Sequence, residues 1–196
     1  MPMTIEPLTG AALTAALPDL ARLRITVFRD WPYLYDGSLE FERTYLAKFA
    51  SGPDSLIVVA RDGNEIVGAS TASPLMGLAD ELAPAFREHG IQPETIFYFG
   101  ESVLLPQFRG QGAGNAFFQH REARARELGR FAQTAFCVVI RPAGHPLRPT
   151  HHRPLDGFWI GRGYRRVEGL TTSFIWKDIG QARETSKAMQ FWIRAL

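Results

Sequence analysis

Residues 108–115 read Phe108-Arg109-Gly110-Gln111-Gly112-Ala113-Gly114-Asn115 and join an apolar stretch to a helical pattern. The apolar stretch, residues 95–105, is rich in aromatic and branched side chains and predicts a buried strand. Residues 112–128 have helical spacing and stop at Gly129, and residues 131–140 are again apolar. Strand, glycine turn, helix and strand in this order predict a βαβ unit with two parallel neighbouring strands.

The glycine turn has the chemistry of an anion site. The first turn of a helix leaves its N–H groups unpaired, the helix dipole is positive at this end, and glycine lets a phosphate approach the main chain closely. A Walker loop would need Lys and Ser or Thr where this chain has Asn115-Ala116, and a dinucleotide fingerprint would need glycine at Asn115. The residues therefore favour a different phosphate ligand, with a turn that binds nothing as the alternative.

The remaining elements predict a single α/β domain over residues 1–180, with a mixed, mostly antiparallel sheet flanked by helices. Residues 55–60 and 65–72 are strand patterns joined by Asp62-Gly63, a strong hairpin signal. Residues 164–176 predict a final pair of strands around Gly169. Residues 181–196 predict a helical tail with Met189, Trp192 and Ile193 on its apolar stripe, packed on the domain or on the second subunit of a homodimer.

Composition excludes several classes of protein. The chain has 196 residues, 45% of them hydrophobic and 21% charged, which is typical of a globular domain with its own core. The net charge is only +2 and no basic block is present, so we expect no nucleic-acid partner. One cysteine, no charged-then-apolar leader and no long apolar run predict a cytoplasmic protein without disulfides or membrane spans.

A family resemblance adds to this reading. Residues 109–114 match the Arg/Gln-x-x-Gly-x-Gly/Ala signature of GNAT acyltransferases, and residues 104–108 resemble the strand end that precedes it. The element order from residue 4 to about residue 177 also resembles that fold, as do the pairs Phe158-Trp159 and Gly163-Tyr164 near its end. The resemblance implies that the two parallel strands splay apart and that acyl-CoA fills the gap between them.

The resemblance also implies contacts for acetyl-CoA, used as a co-substrate without a metal. The strand would bind the pantetheine arm through its backbone, an amide near Leu104 would polarise the thioester carbonyl, and the glycine loop would hold the diphosphate. The residues implied are Val103, Leu104, Leu105, Arg109, Gly110, Gln111, Gly112, Ala113, Gly114, Phe158 and Trp159. The expected reaction is acetyl transfer to a primary amine of a small molecule; a protein or peptide amine, or a silent acyl-CoA sensor, are the alternatives.

Acyl transfer to an amine needs a base, because an amine of pKa near 10.4 is only about 0.04% deprotonated at pH 7. Glu101 is the candidate, since a carboxylate within an apolar strand is costly to bury without a task. The alternative is that Glu101 pairs with an arginine or reaches solvent. Strand alternation places Tyr98, the second candidate, on the opposite face unless a bulge intervenes.

The sequence does not single out one residue that would donate a proton to the departing thiolate. The family often has a tyrosine where this chain has Trp159, and an indole does not perform that role. A CoA thiolate leaves without a dedicated acid near neutral pH; otherwise Tyr164, His152 or His145 are the candidates.

The acceptor site is predicted in the segments that frame the splayed strands. Aromatic side chains with interspersed carboxylates suit an amine through apolar contact and cation–π attraction, although the aromatics also fit ordinary packing between helices. The candidate residues are Trp31, Tyr33, Tyr35, Asp36, His145 and Asp156. The spacing of His145, His151 and His152 is not that of a zinc site, so no metal is expected, and Cys137 is expected in the core.

Overall fold

A seven-stranded sheet with the strand order β1-β2-β3-β4-β5-β7-β6 forms the centre of the molecule, in a computed structural model that describes residues 3–77 and 79–196. Only β4 and β5 are parallel neighbours, and the other adjacent pairs are antiparallel. The strands are β1 (Thr4–Leu8), β2 (Leu56–Asp62), β3 (Glu65–Pro74), β4 (Ile96–Leu104), β5 (Gln133–Val139), β6 (Arg165–Trp176) and β7 (Thr185–Ala195). The mixed, mostly antiparallel sheet predicted from the sequence is confirmed.

Helices cover both faces of the sheet. They are α1 (Gly10–Phe28), α2 (Leu39–Ser51), α3 (Ala83–Glu88), α4 (Ala113–Leu128) and α5 (Asp156–Gly161), with short 3-10 turns at Asp80–Leu82, Pro93–Thr95 and Pro106–Phe108. The apolar stripe of α1 packs with α2 on β2 and β3, α3 packs on the β4–β7 part of the same face, and α4 and α5 pack on the opposite face. Within the described residues, no helix is long and apolar enough to cross a bilayer.

The predicted hairpin and βαβ unit are both confirmed. Strands β2 and β3 pair antiparallel across a turn in which Gly63 has a φ of +57°. Helix α4 joins β4 to β5, and those two strands pair in parallel from Ile96–Gln133 to Tyr98–Ala135. The glycine turn at the start of α4 therefore lies at the carboxyl end of a central strand, where open sheets commonly bind ligands.

The prediction of a helical tail over residues 181–196 is wrong. Residues Thr185–Ala195 form β7, which lies between β5 and β6 and pairs with both. Its side chains are buried on both faces: Met189, Phe191 and Ile193 join the core below α3, and Trp192 joins the core below α4. Burial on both faces produces a continuous apolar run, which a short sequence window does not distinguish from a buried helix.

The predicted pair of strands in residues 164–176 is also wrong, because Arg165–Trp176 is a single strand whose partner is β7. The register between β6 and β7 shifts between Arg166 and Thr171, and Gly169 in this stretch has a φ of +77°. The glycine therefore marks an irregularity within one strand rather than a turn between two.

Two identical substitutions test the position of β7. Ile193→Val should lower the free energy of unfolding by about 0.5–1.5 kcal/mol, because Ile193 is 1% exposed in the core. Ile175→Val on β6 should change it by less than about 0.5 kcal/mol, because Ile175 is 66% exposed. Urea unfolding measures both, and equal effects would argue against an internal position for β7.

Candidate active site

Strands β4 and β5 separate after a short parallel pairing. Their register runs only from Ile96–Gln133 to Tyr98–Ala135, although β4 continues to Leu104 and β5 continues to Val139. Past Tyr98, β4 stays paired with β3 and β5 stays paired with β7, so the two strands have no ladder with each other. A gap therefore opens in the middle of the sheet and begins beside residues 99–104.

Strand pairing decides which backbone groups of β4 face this gap. The N–H of Leu105 donates to Val67 O, so the pairs Leu105–Val67 and Val103–Ala69 exchange hydrogen bonds. Ser102 and Leu104 lie at the alternate positions of the ladder, where N–H and C=O point away from β3 and toward the gap. Consistent with this, Leu104 O accepts from Arg109 Nε at 3.3 Å.

This pairing changes the set of predicted backbone contacts. The N–H groups of Val103 and Leu105 are used within the sheet, and the Val103 side chain is buried below α1 and α2. Only Leu104, of the three predicted residues, has main-chain groups that face the gap. Ser102 was missed, because sequence alternation does not tell which residues of a strand donate to which neighbour.

The predicted glycine cradle is open, and the N–H groups of residues 110–112 donate to no other main-chain group among the described residues. Gly110 and Gly112 have φ values of +79° and +89°, and a Cβ built on either would meet nothing within 4 Å. Gly112 caps α4, whose backbone bonding starts with Ala116 N donating to Gly112 O at 3.2 Å. The amides of the preceding turn therefore point outward at the positive end of the helix dipole, as a diphosphate requires.

Phe158 borders the cradle, and Trp159, which follows it in sequence, lies in the aromatic core. A Cβ built on Gly114 would lie 3.5 Å from Phe158 Cζ, so the helix start and α5 are in near contact. Phe158 packs edge-on against Phe118, and Trp159 packs against Phe136 and Trp192. Both side chains are half-buried.

A bulge in β4 decides where the predicted base points. Between the pairs Ser70–Ser102 and Ala72–Phe99, β4 has one residue more than β3, so Gly100 and Glu101 both oppose Thr71. The extra residue returns Glu101 to the face of Tyr98, and both side chains line one cavity. The expectation of opposite faces therefore does not apply here.

Thr71 and Arg121 hold the bulge from two sides. Glu101 N donates to Thr71 Oγ1 at 3.2 Å. On the other face, Arg121 Nη1 donates to Thr71 O and Glu101 O at 3.3 and 3.4 Å, and its guanidinium lies over the Phe99 ring. The bulge is thus hydrogen-bonded at its amide and at its carbonyls.

Thr71→Val tests this support with little change of shape. The valine leaves the buried amide of Glu101 without its acceptor, so the free energy of unfolding should fall by about 1–2 kcal/mol in a urea titration. Thr71→Ser keeps the hydroxyl and should retain most of that stability. Equal stability of the two variants would remove Thr71 from the account of the bulge.

The cavity beside the gap has a volume of about 350 Å³. It lies on the α1–α2–α3 face of the sheet and is bounded by α1, α2, the 3-10 turn at Asp80–Leu82 and β3 to β7. Aromatic side chains make up much of its wall: Phe28, Tyr33, Tyr35, Phe41, Tyr45, Phe49, Tyr98, Phe174 and Trp176. Polar groups are few, as expected of a pocket that orients a small ligand.

Glu101 forms an ion pair with an arginine, which is the alternative that the sequence analysis left open. Only one of its two carboxylate oxygens takes part in this pair. Arg24 Nη1 lies 2.6 Å from Glu101 Oε2, and Arg24 Nε lies 2.5 Å from Glu42 Oε2. The remaining oxygen of each carboxylate, Oε1, is buried without a hydrogen-bond partner among the described residues. Burial raises the pKa of the Glu101 carboxyl, Arg24 opposes the rise, and Glu42 adds to it.

Tyr98 and Cys137 meet inside the same cavity. Tyr98 Oη and Cys137 Sγ lie 3.2 Å apart. Burial raises the pKa of the Tyr98 phenol well above its usual range and raises that of the Cys137 thiol to about 12. Both groups are therefore protonated near neutral pH, and a protonated thiol is a poor nucleophile.

Tyr164 does not join this cavity. Its side chain is buried on the α4 face among Phe99, Phe118 and Phe136. Its hydroxyl lies 2.8 Å from Thr134 Oγ1 and donates to Glu122 Oε1 at 3.2 Å. The predicted catalytic role of Tyr164 is therefore not supported by its position, because this hydroxyl serves a buried network.

The predicted acceptor residues divide into two groups. Tyr33 and Tyr35 line the cavity, and their loop is fixed because Arg141 binds the carbonyls of Pro32 and Tyr33 and forms an ion pair with Asp178. The others lie outside the cavity lining.

The predicted acceptor residues outside the cavity have different surroundings. Trp31 packs against His145 and His152, with ring centroids 5.1 and 5.9 Å apart. Asp36 pairs with Lys177 at 2.7 Å, which together with its hydrogen bonds lowers the pKa of Asp36. Asp156 is exposed at the start of α5. No cluster of three or more metal-binding side chains occurs in the parts of the chain that are described.

Sequence reasoning missed two residues of the cavity lining, Arg24 and Tyr45, and the carboxylate of Glu42 that pairs with Arg24. Arg24, Glu42 and Tyr45 lie on α1 and α2, and they meet β4 only through the tertiary fold. The one available signal was the occurrence of Arg24 and Glu42 inside amphipathic helices, which is equally typical of solvated positions.

Comparison with known proteins agrees with this geometry. The model of the acetyltransferase (GNAT) family matches residues 20–155. No curated protein matches the sequence.

Three solved structures share the fold. A ribosomal-protein-alanine N-acetyltransferase from Brucella melitensis is 14% identical with a TM-score of 0.62, covering 98% of this chain and 99% of that one. An acetyltransferase from Thermus thermophilus is 16% identical with a TM-score of 0.57, covering 100% and 98%. A GNAT family acetyltransferase from Elizabethkingia anophelis with acetyl-CoA bound is 15% identical with a TM-score of 0.56, covering 99% and 98%.

At these identities the structural likeness establishes the fold alone, whereas the family match spans more than half of the sequence. The chain therefore belongs to the GNAT family of acetyltransferases and is an acetyl-CoA-dependent acyltransferase.

Proposed function

We propose that the protein transfers the acetyl group of acetyl-CoA to a primary amine of a small molecule, with Glu101 as the general base. The observation that carries the proposal is the bulge in β4, which brings Glu101 into an aromatic cavity beside the gap between β4 and β5. The donor then approaches through the gap and the acceptor occupies the cavity, so that the two substrates meet at Glu101.

The coenzyme is assigned to the cradle and the open edge of β4. Its diphosphate fits the amides of residues 110–114, with Arg109 as a nearby positive charge and Phe158 as the adjoining aromatic side chain. The backbone groups of Ser102 and the N–H of Leu104 face the gap and are assigned to the pantetheine arm, whereas Leu104 O accepts from Arg109 Nε. Ser102 directly follows Glu101, so its amide is the donor assigned to the thioester carbonyl, where negative charge develops during attack.

The chemistry requires a neutral amine. An acceptor that enters as an ammonium ion transfers one proton to the Glu101 carboxylate, whose raised pKa makes it a better base than an ordinary glutamate. The amine nitrogen then attacks the thioester carbon, the carbon–sulfur bond breaks, and the extra proton on the new amide nitrogen passes to the departing CoA thiolate, so that the products are the amide and free CoA thiol. Tyr98, which keeps its proton and faces the same cavity, is assigned to hydrogen-bond that thiolate.

A thiol-release assay with acetyl-CoA and a panel of small amines, amino acids and short peptides tests the proposal. We expect release of CoA that depends on the amine, with an acetylated small amine identified by mass spectrometry. Tight CoA binding without release for any amine would instead indicate an acyl-CoA-binding module. Release with peptides alone would assign a protein or peptide acceptor.

A further inference from the structure

We propose that the acceptor is an apolar monoamine that carries its primary ammonium group on a short chain attached to an aromatic ring. This inference rests on the proposed function and names the substrate class of the same site. It follows from the size of the cavity, the chemistry of its wall and its balance of charge.

The size of the cavity limits the acceptor. At about 350 Å³ it is near the small end of the range of ligand pockets, which runs from about 300 to 1,000 Å³. Helices α1 and α2 bound it on one side and the sheet on the other, and this volume suits a small molecule better than several residues of an extended peptide. A single ring with a two- or three-carbon chain suits this space.

The wall favours a ring over a polar chain. Tyr33, Tyr45 and Trp176 contribute aromatic surface from the loop after α1, from α2 and from β6. Such surface attracts another ring by stacking and a cation through the ring face. It offers no compensation for the hydration that a polyhydroxylated or multiply charged acceptor loses on entry.

The cavity already binds one cation by this chemistry. The Arg24 guanidinium lies 4.5 Å from the ring centroid of Tyr45 and 5.3 Å from that of Phe28. A substrate ammonium therefore enters a wall built for positive charge.

The charge balance favours a single positive charge on the acceptor. Arg24 neutralises one carboxylate, but two carboxylates, those of Glu42 and Glu101, bind it. Glu42 is not itself part of the lining, and the other charged residues of the lining, Lys48 and Glu81, are exposed and of opposite sign. One negative charge thus remains on the Arg24–Glu42–Glu101 cluster, and Glu101 Oε1, which is buried without a partner within the described residues, is the atom assigned to an entering ammonium ion.

The same balance disfavours related acceptors. An α-amino acid would bring its own carboxylate beside Glu42 and Glu101, where like charges repel. A diamine would bring two positive charges to a cluster with one uncompensated negative charge, so its second ammonium group would lose hydration with only exposed Glu81 as a carboxylate partner in the lining. A neutral alcohol of the same shape would fill the cavity without pairing Glu101.

A matched panel tests the inference on the intact protein: 2-phenylethylamine, butylamine, 2-phenylethanol, phenylalanine and 1,4-diaminobutane. With the protein saturated with CoA, calorimetry should show binding of 2-phenylethylamine at least about tenfold tighter than that of phenylalanine, 1,4-diaminobutane or 2-phenylethanol. The kcat/KM values for thiol release should rank the amines in the same order. Preference for the amino acid or the diamine in both measurements would overturn the inference.

The Tyr45 ring supplies a matched pair of variants. Tyr45→Leu should lower the ratio of kcat/KM for 2-phenylethylamine over butylamine by about threefold or more, whereas Tyr45→Phe, which keeps the ring, should preserve that ratio. An unchanged ratio in the leucine variant would count against aromatic recognition by this wall.

The measurements distinguish failure of the proposed acetyl-transfer reaction from failure of the proposed substrate class. Tight binding of 2-phenylethylamine without thiol release from any amine would contradict the proposed reaction and leave the binding site intact. Thiol release with 1,4-diaminobutane or phenylalanine in preference to 2-phenylethylamine would support the reaction and contradict the substrate class.

Discussion

Glu101→Gln is expected to lower kcat/KM for acetyl transfer at pH 7 by about 100- to 10,000-fold, the usual contribution of a general base. The glutamine keeps the shape of the side chain but does not accept the proton of an entering ammonium ion. The deficit should shrink as the pH approaches the pKa of the free amine, near 10.4, because the neutral amine then forms in solution. A thiol-release pH profile of both proteins measures this.

Glu42→Gln is the matched control for that loss. Glu42 binds the same guanidinium as Glu101, but it is not part of the cavity lining. Its charge raises the pKa of Glu101, so its removal should move the acid limb of the kcat/KM profile to lower pH while turnover persists at the plateau. If Glu42→Gln and Glu101→Gln reduced the plateau equally, Glu101 would act through the ion pair and not as the base.

Gly114→Asp is expected to weaken CoA binding by about 100-fold or more, whereas Gly114→Asn should weaken it only a few-fold. Two like charges 4 Å apart repel by about 4 kcal/mol at an effective dielectric constant near 20, and each 1.4 kcal/mol is a factor of ten. Both substitutions introduce side chains of nearly the same size and shape, and the added Cβ meets only Phe158 at ordinary contact distance. The difference between them isolates the charge, as measured by calorimetry with CoA.

The fold of the aspartate variant should remain intact. A carboxylate in the first turn of α4 interacts favourably with the positive end of the helix dipole, so the melting temperature should be no lower than that of the asparagine variant. Equal CoA affinities in two folded variants would contradict a diphosphate at this turn.

Local chemistry accounts for what the sequence predicted correctly. The Asp62-Gly63 turn and the glycine at the start of α4 are positions where backbone conformation itself selects the residue, since both glycines have positive φ. The strands and helix around the cradle are long, regular patterns whose type is readable from periodicity. The cradle was therefore predictable together with its place at the end of a central strand.

Long-range packing accounts for what the sequence did not reveal. The apolar run of β7 is the same whether a helix or a doubly buried strand produces it, and only its insertion between β5 and β6 decides. The bulge adds one residue to β4 without any change in composition, yet it moves Glu101 to the face of Tyr98. The pairing of Glu101 with Arg24 spans 77 positions, and no spacing rule predicts it.

The remaining differences between predicted and observed site residues arise because the sheet has two faces and the cavity lies on only one of them. Tyr164 and Trp159 belong to the core under α4, whereas the cavity lies on the opposite face of the sheet, beside α1 and α2. A tyrosine close in sequence to family-like positions therefore has its hydroxyl in a buried network with Thr134 and Glu122. The family-like pair Gly163-Tyr164 was recognised in the sequence, but the motif did not tell on which side of the sheet the Tyr164 side chain lies.

A crystal structure of the protein with CoA would locate both the diphosphate and the sulfur of the coenzyme. We expect the diphosphate on the main-chain amides of residues 110–114 and the pantetheine arm in the gap, hydrogen-bonded to Ser102 and Leu104, with its sulfur toward Glu101. A diphosphate bound elsewhere, or a gap filled by the protein's own side chains while CoA is bound, would contradict this assignment.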